Sequence, residues 1–226
     1  MKSRIGTLAV LALALALAAP AATAAPATVD LRIEGADDTI FEGPVQTDGH
    51  AIEQDKSGSQ PCDGTNGGAN PAAGPTVTSA LDDAVAWDGT WNPSFSDFLV
   101  SRIGPDRATD TKFWGAALNG TPTELGGCQV QVKKGDDVLW AYDMFSAKQF
   151  LELSGPKTAK LNKPFKVKVV DSKNGDKPVK GATVSRVAKT DAKGVAKVVA
   201  TERGLLLVKA ERKGAIRSNS LVVRVR

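Results

Sequence analysis

Apolar and polar residues alternate along two separate stretches of this chain, and a helical period interrupts the first. Val29-Asp30-Leu31-Arg32-Ile33-Glu34 repeats every two residues, the period of a strand with one buried and one solvated face. Thr39-Ile40-Phe41 and Pro44-Val45 supply a partner strand. Val77, Leu81, Ala84 and Val85 fall instead at helical spacing with Thr76 or Thr78 available as a cap, which predicts a short helix over 77–86. Residues 98–100, 112–118, 129–132 and 138–142 add strands, with turns at Asn119-Gly120, Gly126-Gly127 and Lys134-Gly135-Asp136. Residues 54–75 are rich in Gly, Asn, Ser and Pro and read as a surface loop. A mostly antiparallel sheet carrying one helix is an α+β unit.

From residue 150 onward only the two-residue period persists. Phe150-Leu151-Glu152-Leu153 opens it, and Phe165, Val167 and Val169 then alternate with Lys166 and Lys168. Residues 182–188, 194–201, 205–211 and 221–225 continue the pattern, separated by turn residues such as Asn174-Gly175 and Lys213-Gly214. Short strands punctuated in this way predict an all-β sandwich.

Charge divides the chain at the same place. Residues 25–147 hold 7 Lys and Arg against 19 Asp and Glu, a net of −12; residues 148–226 hold 20 against 6, a net of +14. The overall +4 therefore describes neither half. The split predicts two domains, 25–147 and 148–226, and makes the basic one the candidate contact for an anionic cell-wall polymer or surface glycan. Of its 20 basic residues 14 are Lys, and Phe150 and Phe165 are its only aromatics. Hydrated point charges without stacking platforms argue for diffuse attraction and against nucleic acid. The plain reading is that Lys solvates the polar strand faces and discourages edge-to-edge pairing; docking of the basic half onto the acidic one is a further alternative, and a protein partner is a separate candidate.

Residues 1–24 read as a secretory signal, removed before Ala25. Lys2 and Arg4 lead an apolar run over 8–19 that ends in Ala22-Thr23-Ala24. The run falls short of the ~20 apolar residues of a bilayer span, so an extracellular or surface-associated mature chain is expected. In that oxidising setting Cys62 and Cys128 are expected to form a disulfide, worth about 4 kcal/mol by loop closure. Two Cys and His50 are too few for a structural zinc site, and no metal is expected.

The run Val29-Asp30-Leu31-Arg32-Ile33-Glu34-Gly35, then Ser101-Arg102-Ile103-Gly104, Phe113-Trp114 with Asn119-Gly120, and Lys134-Gly135-Asp136-Asp137-Val138-Leu139-Trp140 resembles the transcobalamin-like C-terminal domain of bacterial surface proteins. The resemblance implies a β-grasp-like sheet with one helix over 25–147. In transcobalamin this domain caps cobalamin against a helical barrel; the corresponding barrel is not found here, and no cofactor is expected. Asp171, Pro178-Val179, Gly181-Ala182, Val184, Thr190-Asp191, Gly194 and Ala196 resemble bacterial Ig-like and carboxypeptidase-regulatory-like modules. That implies a spacer or adhesion unit without catalytic residues.

His50 is the only His, and no nucleophile-elbow pattern accompanies it. The carboxylate pairs Asp37-Asp38, Asp82-Asp83 and Asp136-Asp137 could serve an extracellular hydrolase, but they read as turn and surface residues. No catalytic residue is assigned. Trp114 and Trp140 lie in predicted strands and read as core, whereas Trp87 and Trp91 follow the helix in a Gly- and Pro-containing segment. These two are expected to be exposed and are the candidate ligand-binding pair, the alternative being that the aromatics simply fill the core. The sequence thus predicts a secreted, non-enzymatic binding or adhesion protein, with a purely structural spacer as the rival reading.

Overall fold

The computed structural model describes residues 25–54 and 57–226, so the expected signal segment lies outside the described residues. The chain is mostly β, arranged in several sheets with, among the described residues, one α-helix. Strand β1 (Ala27–Glu34) pairs antiparallel with β2 (Thr39–Thr47). On its other side it runs parallel to the strand Asp137–Tyr142, which pairs antiparallel with Trp114–Leu118. The parallel pair departs from the expected antiparallel order, and parallel neighbours require a long crossover. Residues 35–136 supply it.

That crossover contains several hairpins and the helix. Strand β3 (His50–Gln54) runs up to the segment expected to be loop, and its partner β4 (Gly58–Cys62) lies inside that segment. Ile52 is the buried apolar residue of β3, set among polar neighbours, so no alternation announced it. Helix α1 (Val77–Asp82) is shorter than the expected 77–86. It opens on a capping box: Ser79 N donates to Thr76 Oγ1 at 3.0 Å and Thr76 N to Ser79 Oγ at 2.8 Å. It stops at Asp82, whose carboxylate is taken up by side chains outside the helix. The strand expected at 129–132 does not form. Val77 N donates to Val130 O and Val132 N to Pro75 O instead, leaving a single bridge between Thr76 and Gln131. Strands β5 (Trp87–Asn92) and β6 (Asp97–Ile103) make the second hairpin.

Helix α1 packs on β1, β2 and the Asp137–Tyr142 strand, and the core includes Leu31, Ile33, Leu81, Ile103, Val138 and Trp140. The Cys62–Cys128 disulfide forms and is buried. The opposite sheet face, which the alternation assigned to water, is covered as well. Ala117, Leu139 and Ala141 join Met144, Ala147, Phe150 and Ile216 in one buried cluster, and Arg32 and Glu34 are buried on the same strand system.

Past residue 148 the long strand Pro164–Asp171 alternates buried and exposed positions along nearly all its length, as its Val/Lys pattern predicts. It pairs with Gln149–Ser154 and with Val195–Val199. Gly204–Val208 pairs with Leu221–Val225 in a second sheet, and a separate core holds Leu151, Val167, Val169, Val184, Val208 and Val223. The predicted strand 182–188 is broken into Thr183–Val184 and Ala188–Lys189, because Ser185 and Arg186 both take positive φ (48° and 63°) in a tight turn.

Candidate functional site

The two tryptophans expected at the surface are set back from it. Trp87 is buried and Trp91 is half-buried, a correction to the predicted exposed pair. Both belong to β5, where Trp87 stands opposite Ile103 and Trp91 opposite Phe98. The Phe98 ring lies between the two indoles, 5.5 Å from Trp87 and 5.1 Å from Trp91, both edge-on, a favoured aromatic geometry. Trp87 Nε1 donates to Asp82 Oδ1 at 2.8 Å. Both indoles are thus packed against Phe98 within the hairpin.

The β5–β6 turn and the loop before Cys128 line a cleft of about 580 Å³. Phe95, Leu99 and Leu125 project into it and are 70%, 62% and 54% exposed. Three large apolar side chains grouped around one concavity are the usual make-up of a recognition site. Sequence reasoning passed over them because Phe95 sits in Pro93-Ser94-Phe95-Ser96 and Leu125 beside Gly126-Gly127, both turn-like contexts. An aromatic stranded in a polar turn was the available signal. Among the described residues, the charged side chains lining the cleft are Asp97 and Glu124.

The cleft is braced from below. Asp97 is buried and its carboxylate accepts from Phe98 N at 2.7 Å and from Cys128 N at 3.0 Å, joining the hairpin to the disulfide. Burial pushes its pKa up to about 6, although both backbone donors oppose the shift. Gln129 Nε2 donates to Phe95 O at 2.7 Å, and Asn66 Nδ2 donates to Ser96 O at 3.1 Å. These bonds hold the turn open before any ligand arrives.

His50 is engaged elsewhere. Its Nδ1 lies 3.2 Å from Asp48 Oδ1 and its Nε2 3.2 Å from Asp82 Oδ2. Burial alone would depress its pKa, but the hydrogen bond to Asp82 and the charge of Asp83 outweigh it and hold the imidazole above its usual value. It ties β3 to the end of α1. Among the described residues, no group of three or more His, Cys, Asp or Glu is arranged to hold a metal ion.

The charge split is used first inside the molecule. Buried Glu34 meets Lys209 Nζ and Arg217 Nε, each at 2.8 Å. Arg217 also donates to the carbonyls of Gly35, Ala36 and Asp38, and Lys209 donates to Thr39 Oγ1. Arg32 reaches Glu152 at 3.0 Å and the Arg217 carbonyl. Glu42 accepts from both Ser220 N and Ser220 Oγ, at 2.6 and 2.7 Å. Burial raises the pKa of Glu152, against the pull of Arg32. Lys173 also turns inward, donating to Ala147 O at 2.7 Å, whereas other lysines of this half are exposed. Lys166 and Lys197 are exposed and directly opposite each other across two strands, with Lys168 one step along the same face, an arrangement of like charges that costs stability unless something anionic covers it.

No protein-family model matches the chain, and a search of curated proteins finds no match.

Proposed function

We propose that this chain is a secreted bacterial binding or adhesion protein whose ligand surface is the Phe95–Leu99–Leu125 cleft. The observation that carries the reading is the braced, open cleft with three large apolar side chains turned into it. Residues 25–147 form a transcobalamin-like domain in this account. A first strand parallel to a late one at mid-sheet, with one helix laid across them, supports the β-grasp-like assignment. Residues 148–226 form an Ig-like sandwich, supported by their separate core and two antiparallel pairings. The Lys166–Lys197 face is its contact with anionic cell-envelope polymer. Cobalamin has no part in this reading. The chain's single imidazole is held on both nitrogens by carboxylates, and the cleft presents hydrocarbon and acid, a poor fit to a corrinoid.

Nile red, a neutral apolar fluorophore, tests the cleft. The full mature chain should bind it with a blue-shifted emission, and Leu125→Asp or Leu99→Asp should remove that signal. Unchanged emission in both variants would place binding elsewhere. The rival reading, a spacer with no small ligand, is favoured by the Glu34 junction, which fixes the two halves against each other; it predicts no Nile red signal at all.

A further inference from the structure

The acidic cleft has a counterpart on the basic half. The strand Gly204–Val208 borders its sheet, and its ladder partner is Leu221–Val225. Leu205 and Leu207 are 67% and 62% exposed, and Val222, directly opposite Leu207, is 51% exposed. Arg224 stands directly opposite Leu205, and exposed Arg203 precedes the strand. A single exposed leucine needs no explanation, but two exposed leucines on an edge strand beside an exposed valine of its neighbour make an apolar patch that soluble proteins ordinarily avoid. Each surface has an apolar centre and a charged rim, the build of half an interface. One is concave, and among the described residues its charged lining is Asp97 and Glu124. The other is an open sheet face flanked by arginines.

We propose that these two surfaces bind each other between copies of the chain. The Leu205–Leu207–Val222 face of one molecule enters the Phe95–Leu99–Leu125 cleft of the next, with Arg203 and Arg224 toward Glu124. The proposal rests on the cleft being a binding site and names its occupant as a second copy. Because the two surfaces differ, the contact is heterologous, and every pair keeps one surface of each kind free, one on each molecule. Association therefore continues head to tail and does not stop at a dimer. With three apolar side chains on each side the contact is small, so association is weak, depends on concentration and is loosened by salt. An anionic lipid surface would also attract leucines ringed by arginine, but it would leave the acidic cleft bare and repel it. Opposite charge on the two halves favours the second copy.

Sedimentation velocity of the mature full-length protein tests this, using Phe95→Asp to spoil the cleft and Leu207→Lys to spoil the strand face. Both sites are exposed, and Leu99→Asp with Val222→Lys provides a second pair. The wild type should form a ladder of species that grows with concentration and shrinks in 1 M salt. Either variant alone should be monomeric, and an equimolar mixture should give dimers and nothing larger. A monomeric wild type, or a mixture that stays monomeric, overturns the proposal. Association of Phe95→Asp alone overturns it in favour of edge-to-edge pairing of the strand. Monomers that co-sediment with anionic phospholipid vesicles, equally for wild type and Phe95→Asp, overturn it in favour of a lipid surface. If Nile red still enters the cleft of a monomeric wild type, the binding reading survives and the self-association fails alone.

Discussion

Glu34 and Arg217, 183 residues apart in sequence, meet Oε2 to Nε at 2.8 Å beneath the surface where the acidic and basic halves join. Lys209 approaches the other oxygen at the same distance. A buried pair of this kind adds little over a well-packed apolar substitute, but removing one partner strands the others. Glu34→Ala should therefore destabilise the whole chain by about 3 kcal/mol, seen as a lower midpoint in urea. Glu42→Ala, whose partners at Ser220 are exposed, should cost far less. Equal effects from the two would show that the junction is not organised around Glu34.

Asp97 and His50 are among the groups, with Asp137 and Glu152, whose raised pKa makes stability fall as pH rises. The Asp97 pKa is raised to about 6 from 3.8, so the native state holds a proton that the unfolded chain releases between those values. Stability is lost across that window, by up to about 3 kcal/mol. The His50 pKa is raised above 6.5. Its contribution is present below the unfolded value and disappears as pH passes through the folded one. Urea midpoints measured from pH 4 to 8 should decline through both windows. Asp97→Asn should flatten the acidic part and His50→Gln the neutral part; a variant profile parallel to wild type would reject that assignment.

Ser185 and Arg186 occupy positive φ without being glycine or asparagine. The left-handed region costs an ordinary residue about 1–2 kcal/mol, and two-residue turns of this type favour Asn-Gly. Ser185→Asn combined with Arg186→Gly should raise the thermal midpoint by several degrees. No gain would mean that the turn's side chains make compensating contacts.

The lysine face makes its own prediction for the envelope reading. Coulombic attraction between exposed groups is screened over about 8 Å at physiological ionic strength and about 3 Å at 1 M. The mature chain should be retained on anionic wall polymer at low salt and should elute well below 1 M. Lys166→Glu with Lys197→Glu should abolish retention, and salt-resistant binding would point to a shaped pocket instead.

Much of the scaffold was legible because its signals are local. The alternation at 29–34 gave β1, Asn119-Gly120 gave a turn with both residues at positive φ (50° and 78°), and the lone cysteine pair gave the disulfide. What stayed hidden depends on partners distant in the sequence. Arg32 and Glu34 look solvated from their spacing and are buried because the basic half lies over them. Trp87 looks exposed from its Gly- and Pro-containing neighbourhood and is buried because Phe98 and Asp82 receive it. The cleft was missed for the same reason, since Phe95 and Leu125 are 30 residues apart and the disulfide loop brings them together.

The connection between the halves behaves as a mechanical part. Met144, Ala147 and Phe150, three side chains within seven residues, are sunk in the same apolar cluster as Ile216, so the joint has no slack of its own. Torque applied to one half passes to the other without being absorbed in a loop. Anything gripping the lysine face would therefore aim the cleft in a fixed direction, and the molecule would work as a bracket rather than a tether.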